Sequence, residues 1–319
     1  MLPINVAGCR KLSSILTVTL MITCGWSVVG ETSSPPLHIV PPPPTLEEMR
    51  NATYTGIDTT PIKLTDGRYE REPYIPGGVI RQRIELLDGQ PAIGDLDGDG
   101  VMDAVAFLSE NDGGTATVLH MAVMSRIKGK IVNIATIRLG DRINIRSIAV
   151  ERGQITLDLL QFGAKDAACC PSELIARVWT LERTGMVERV AKKRQGTLKL
   201  GTLEGDEWLF RGFTPQLTQP EGTGASFLLE KDQISGSAGC NRFMGTATAT
   251  KVPGVVTLKA TKSTNKECGG REMKDEEEYL EAVRKTVKFG FFLGDLTLSW
   301  QKKDGSLGVM RFAHRVPGR

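Results

Sequence analysis

The sequence has little histidine, three residues in 319, which leaves few players for a multi-histidine metal site or a histidine proton relay. It also lacks a strong charge imbalance. Forty Lys and Arg stand against 37 Asp and Glu, a formal net charge of +3, so there is no basic surface of the kind that drives nucleic-acid binding. Beyond the first thirty residues no apolar run approaches the roughly 18 residues of a membrane-spanning helix. The chain has no nucleophile elbow, HExxH pair, Walker loop or dinucleotide fingerprint, so a hydrolase reading has no motif to stand on. No Cys-x-x-Cys occurs either.

What is present describes a folded chain. Hydrophobic residues at 40% and charged residues at 24% are near globular averages and exclude wholesale disorder. The length suggests two domains of ordinary size. The 35 glycines, about 11% against an average of roughly 7%, suggest many turns between short strands.

Residues 1–30 read as a signal peptide. Arg10 and Lys11 form a positive n-region, Leu12–Ile22 is an apolar run of h-region length, and Val28-Val29-Gly30 offers a small residue before the cut. The segment is too short to span a bilayer as a helix. Cys24 adds a second reading, a lipoprotein signal in which this Cys is acylated, although Thr23 before it fits the usual box poorly. Membrane attachment is expected only through that anchor. Removing the segment takes two of the 40 basic and none of the 37 acidic residues, leaving 38 against 37. Residues 31–48 form a linker. Its core from Ser33 to Pro44 is dense in proline, which favours an extended polyproline-II spacer.

Residues 49–194 are expected to form an antiparallel β-rich domain. Strands are predicted at Ile80–Leu87, Ala104–Leu108, Thr115–Val123, Lys130–Leu139, Ile143–Val150, Gln154–Leu160 and Ile175–Leu181, broken by turns such as Asn111-Asp112-Gly113-Gly114. Several alternate with period 2, as half-buried strands do. Thr45–Asn51 is the one helical stretch nearby. The sharp motif is Asp95-Leu96-Asp97-Gly98-Asp99-Gly100-Val101-Met102-Asp103. Carboxylates at loop positions one, three, five and nine converge hard oxygens on one centre, the glycine permits a tight turn, and position seven can offer its carbonyl. The pattern resembles the calcium loops of FG-GAP repeats and dockerin-type modules. It departs from the EF-hand, whose bidentate Glu position is Ala106 here, and a strand follows rather than a helix. The resemblance implies Ca2+ held by Asp95, Asp97, Asp99, Asp103 and the backbone oxygen of Val101. The motif occurs once, which argues against a full propeller.

Cys169-Cys170 is the second oddity. Neighbouring Cys can close a strained ring, pair with separate partners, or present two soft thiolates to a metal. In an oxidising compartment a disulfide is the simple expectation. A thiol-redox or metal-handling protein is the alternative.

Residues 195–319 carry a recognisable set of segments: Leu203-Glu204-Gly205-Asp206-Glu207-Trp208, then Ile234–Phe243 (ISGSAGCNRF) with Gly245, Thr264–Cys268, Glu276-x-x-Tyr279-Leu280-x-Ala282-Val283, and Gly294-Asp295-Leu296-Thr297-Leu298. In this order they resemble the META domain, the family that includes the HslJ-like heat-shock-associated lipoproteins. The resemblance implies an α+β unit of antiparallel strands plus one helix. The residues agree independently. Tyr279, Leu280, Val283 and Val287 have helical spacing within Met273–Val287, Phe289–Phe292 and Leu296–Trp300 read as strands, and Lys303-Asp304-Gly305 as a turn. Gly236, Gly239 and Gly245 suggest unusual backbone angles or close approach. Cys240 and Asn241 could be a nucleophile and its helper, or a disulfide partner of Cys268 and a turn-satisfying side chain. With the two signal cysteines removed, a 240–268 plus 169–170 pattern is one of three pairings. A 240–268 bond would close a loop of about 28 residues and stabilise by roughly 3 kcal/mol.

The leading expectation is an exported, non-catalytic cell-envelope protein, periplasmic or at the outer membrane. By resemblance, META proteins are linked to stress and antibiotic tolerance, or to secretion and motility. The partner is then an unknown envelope protein or ligand. A calcium-dependent adhesive or ligand-binding module is a further alternative.

Overall fold

The computed structural model describes residues 40–167, 170–189, 193–214 and 224–315. The signal segment with Cys24, the linker before Val40, and Cys169 lie outside the described residues. No helix among the described residues is long and apolar enough to cross a membrane.

A short helix, α1 (Leu46–Arg50), starts at a capping box: Thr45 Oγ1 accepts from Glu48 N at 3.3 Å and Glu48 Oε2 accepts from Thr45 N at 2.9 Å. Arg126 clamps this end of the chain, donating to Glu48 Oε1 at 2.9 Å and to Pro42 O at 2.9 Å. The Arg126 hydrogen bonds, with Thr45 adding to them, hold the Glu48 carboxyl down to about 2. A hairpin of β1 (Thr53–Tyr54) and β2 (Ile62–Lys63) follows.

The first large sheet is built from β3 (Arg68–Glu70), β4 (Arg83–Leu86), β6 (Asp103–Asn111), β7 (Val118–Ile127) and β8 (Lys130–Asp141), in that order, with β5 (Ala92–Gly94) pairing β6. The second contains β9 (Asn144–Glu151), β10 (Gln154–Gln161), β11 (Glu173–Glu182), β12 (Gly185–Glu188) and β13 (Lys193–Thr197). All pairings are antiparallel. The two sheets share one apolar core, with Val105, Phe107, Met121 and Val123 from the first meeting Ile155, Leu157 and Trp179 from the second.

The central strands are buried on both faces. Ala104, Ala106 and Leu108 point away from that core into another, closed by Met49 of α1 and by Tyr54 and Ile62 of the hairpin. The expected half-buried alternation therefore gives way, in β6, to an almost continuous apolar run. The strand predicted at Thr115–Val123 begins at Val118, because the preceding turn is held by Asn111 Nδ2, which donates to Gly114 O and Ala116 O at 3.0 and 2.7 Å.

After a single 3-10 turn (Leu200–Leu203) come β14 (Glu207–Phe213), β15 (Ser226–Glu230), β16 (Gln233–Ser237), β17 (Arg242–Ala249), β18 (Val256–Lys262), α2 (Gly270–Arg284), β19 (Thr286–Phe292), β20 (Asp295–Gln301) and β21 (Leu307–His314). The strands form one antiparallel sheet in the order β18-β17-β16-β15-β14-β21-β20-β19. Its outer strands approach each other through a Val255–Lys288 bridge, with Phe289 N donating to Gly254 O at 2.8 Å, so the sheet curls into a nearly closed barrel. Tyr279, Leu280, Ala282 and Val283 of α2 are buried against its core. The helix lies three residues earlier than Met273–Val287. Thr286 Oγ1 donates back to Ala282 O at 3.0 Å at its end, and the β-branched pair Thr286-Val287 opens β19 instead. Fold class is as expected: mostly antiparallel β with little helix.

The barrel core also takes in Leu160 of β10 and Leu174 of β11, while Leu293, between β19 and β20, packs on the core of the preceding two sheets. Gly294 N donates to Ile145 O at 3.1 Å across this seam. Beside it Arg311 Nη2 reaches Asp295 Oδ2 at 2.6 Å and Arg311 Nη1 reaches Asp88 O at 3.3 Å. Burial pushes the Asp295 carboxyl up even though Arg211 and Arg311 both oppose the shift.

Candidate metal loop and signature network

The acidic loop joins β5 to β6, whose ends pair as Gly94 with Asp103. Gly98 and Gly100 adopt positive φ of 79° and 84° inside it. Its carboxylates are fixed by the loop's own backbone. Asp95 Oδ1 and Oδ2 accept from Gly98 N and Gly100 N at 2.7 and 3.1 Å. Asp97 Oδ1 accepts from Asp99 N at 3.1 Å, and Asp99 Oδ1 from Val101 N at 2.7 Å. Leu96 points inward and joins the core between the two sheets, which anchors the loop to the sandwich.

Three of the expected ligands come together: Asp95, Asp97 and Asp99 each place a carboxylate oxygen within 4.8 Å of the others. Asp103 does not join them. It is fully buried at the start of β6, where Oδ2 accepts from Leu96 N at 3.0 Å. Its Oδ1 is buried without a hydrogen bond among the described residues, as is the hydroxyl of nearby Ser125. Burial pushes the Asp103 carboxyl up, the Ser125 and Leu96 groups oppose this, and the charges of Asp97 and Asp99 add to the rise. Asp97 is likewise raised, by burial first and by the Asp99 and Asp95 charges, against the Asp99 amide. A cation is the partner that would relieve this crowding, and hard oxygens suit calcium or magnesium.

In the barrel the glycine-rich signature forms β16, a tight turn and β17. Gly236 and Gly245 are required by close approach: a Cβ on Gly236 would sit 2.0 Å from Ser226 O, and one on Gly245 1.7 Å from Lys259 O. Gly239 takes a positive φ of 103° in the turn. Cys240 is bonded to Cys268 with Cα atoms 6.2 Å apart, inside the normal range for a disulfide. Cys170 is also disulfide-bonded.

Asn241 is completely buried and fully used. Its Oδ1 accepts from Lys266 N at 2.6 Å and Thr264 Oγ1 at 2.9 Å, and its Nδ2 donates to Lys266 O at 3.1 Å. Its backbone N donates to Glu276 Oε2 at 2.7 Å. Glu276, fully buried on α2, pairs in turn with Lys262 at the end of β18. Burial alone would raise the Glu276 carboxyl, but the Lys262 ammonium and the Asn241 donors hold it below the usual range.

The arrangement ties turn, strand and helix into one unit and leaves no free thiol at Cys240 to act as a nucleophile. His314 is occupied with Asp206 Oδ1 at 2.9 Å and lies edge-on to Trp208. Glu276 was visible in the sequence only as a motif position. Standing among Asp275, Glu277 and Glu278, it carries no composition signal of burial.

Residues 201–311 match the model of the META domain. Neither the curated proteins nor the solved structures hold a match to this chain.

Proposed function

We propose that this is an exported, non-catalytic cell-envelope protein, HslJ-like in its META part, that works through a binding face in envelope stress or antibiotic tolerance. The observation that carries the reading is the Cys240–Cys268 disulfide beside a saturated Asn241. The groups of the signature that chemistry could use are spent on structure, and a disulfide persists in an oxidising compartment. The basic and apolar pattern of residues 1–30 supports export. The test is bacterial expression of the full chain with cell fractionation, mass spectrometry of the mature N-terminus and thiol counting under denaturing conditions. An N-terminus near Glu31, or an acylated Cys24, in the envelope fraction is expected. Full-length protein in the cytoplasmic fraction with titratable thiols would remove the reading.

A second activity is favoured by one specific observation: three converging carboxylates, Asp95, Asp97 and Asp99, lie close to the fully buried Asp103, whose ionisation the charges of Asp97 and Asp99 oppose. On that basis the loop between β5 and β6 takes Ca2+, and the sandwich is a calcium-dependent adhesive or ligand-binding module. Calcium titration of the full chain tests this separately from export.

A further inference from the structure

The loop joining β3 to β4 carries the densest exposed apolar surface among the described residues. Tyr74, Ile75, Val79 and Ile80 are all exposed, Ile75 at 73% and Val79 at 80%. From Pro73 to Ile80 no side chain carries a charge. The segment is held in one shape. Arg71 N donates to Gln82 O at 3.0 Å, Tyr74 N to Ile80 O at 3.1 Å and Gly78 N to Ile75 O at 2.8 Å. Ile80 is seated on the neighbouring turn, where a Cβ on Gly113 would lie 2.7 Å from its Cγ2. At the tip the loop stands in open space: nothing lies within 4 Å of where a Cβ on Gly77 would be.

A convex apolar tip offers no pocket to receive a partner's side chain. It suits a partner that deforms around it, as the interface of a lipid bilayer does. The turn enters a low dielectric at little cost, because the Tyr74 and Gly78 amides are already bonded and Pro73 and Pro76 carry no N–H. The order along the loop follows the depth profile of such an interface: apolar tip, then Tyr74, whose hydroxyl donates to Asp112 Oδ1 at 3.3 Å, then charged residues. Charges at the neck nearly balance. Arg71 pairs with Asp58, Arg81 and Arg83 with Glu70, and Glu72 and Asp112 add two further carboxylates. Apolar contact must therefore drive the docking, and the matching surface is zwitterionic rather than anionic. The preceding chain supplies a second attachment. Val40, where the described residues begin, is 16 positions beyond Cys24, and an extended proline-rich chain covers ~3.1 Å per residue, about 50 Å here. That reach lets an acylated Cys24 and the loop engage one bilayer, where two weak signals together give stable anchoring.

We propose that the β3–β4 loop is a membrane-docking element, dipping Ile75 and Val79 into the headgroup–acyl boundary of a zwitterionic bilayer with Tyr74 at the level of the headgroups. Only the tether rests on the export reading; partition of the loop into vesicles is read without it, so the two fail separately.

The experiment places a reporter in the full chain, Ile75→Trp, with Leu307→Trp in the exposed β20–β21 turn as its control, and subtracts the parent's emission. Vesicles of phosphatidylcholine with brominated acyl chains are added to each. The Trp at position 75 should shift to shorter wavelength and be quenched about twofold or more, while the one at 307 is not. Residues 1–30 are common to both chains, so binding through them alone cannot produce the difference. Adding Val79→Asp to the first reporter should raise the lipid concentration needed for half-quenching about tenfold. Position 79 is exposed, and an unchanged melting temperature verifies the fold. Emission from position 75 unmoved at millimolar lipid would hand the loop to a protein partner and overturn the proposal. Equal quenching at 307, quenching only when anionic lipid is present, or no effect of Val79→Asp would overturn it as well.

Discussion

Asn241 and Glu276 hold the signature turn to the helix: the Asn241 amide nitrogen donates to Glu276 Oε2 at 2.7 Å and its side-chain nitrogen to Oε1 at 3.3 Å. Both residues are fully buried. A buried carboxylate is tolerable only when donors surround it, and here the turn supplies two and Lys262 the third.

Asn241→Ala removes the side-chain bonds to Thr264, Lys266 and Glu276 together. The expected loss of stability is about 3 kcal/mol, because buried partners are left without a hydrogen bond. Urea unfolding of the oxidised protein checks it; a change within experimental error would show that the network is dispensable.

Acid should undo the same contact. The folded Glu276 carboxyl titrates below its ordinary value of 4.5, so its charge stabilises the fold above that value. The contribution is lost as pH falls through the lower, folded-state value. Glu276→Gln should flatten the acid limb of a stability–pH curve while lowering stability at neutral pH. An acid limb identical to the parent's would assign that limb to other groups.

Reducing the Cys240–Cys268 bond, or replacing both residues with Ser, releases a loop of 28 residues. Stability should drop by roughly 3 kcal/mol through the freedom regained by the unfolded chain. The barrel's emission and circular dichroism should otherwise persist below the melting transition.

The acidic loop has the opposite pH sign from Glu276. Asp97 and Asp103 titrate above the ordinary aspartate value, so without a cation stability falls as pH rises through those raised values and the carboxylates charge. Calcium should reverse this at neutral pH, raising Tm by several degrees between chelator and about 5 mM ion. Asp97→Asn should raise Tm in chelator and abolish the calcium response. Scanning fluorimetry reads both, and an unchanged Tm on adding calcium would remove the ion from the account.

The seam between sandwich and barrel offers a fifth stability test. Arg311→Met leaves the buried Asp295 with Arg211 alone and cuts the reach to Asp88 O. The expected cost is about 3 kcal/mol, with faster amide exchange at Gly294, whose N–H bonds Ile145 O across the seam. Exchange at Gly294 unaltered in the variant would show that the seam is held elsewhere.

Much of the strand pattern was legible. Lys130–Leu139, Ile143–Val150 and Gln154–Leu160 fall on β8, β9 and β10 within a residue or two, because period-2 alternation and Gly-centred turns are local properties. The helix position drifted by three residues, since apolar spacing continues across Thr286 and Val287 and periodicity alone does not register where a helix gives way to a strand. Strands β1, β2, β3, β5 and β12, each of two to four residues, were not foreseen. Their pairing energy comes from distant partners, not from their own composition.

The sequence by itself determined the β-rich character, the META signature and the spacing of the acidic loop. Each of these is written in short-range order: turn residues, alternation, and donors a few positions apart. Only the tertiary structure decided that Cys240 meets Cys268, that Glu276 is buried while its neighbours are not, and that Asp103 stands behind Asp95, Asp97 and Asp99 instead of beside them. It also decided that Leu160 and Leu174 serve the barrel core. Those outcomes depend on which surfaces exclude water from one another, and burial at a given residue is set by segments far along the chain.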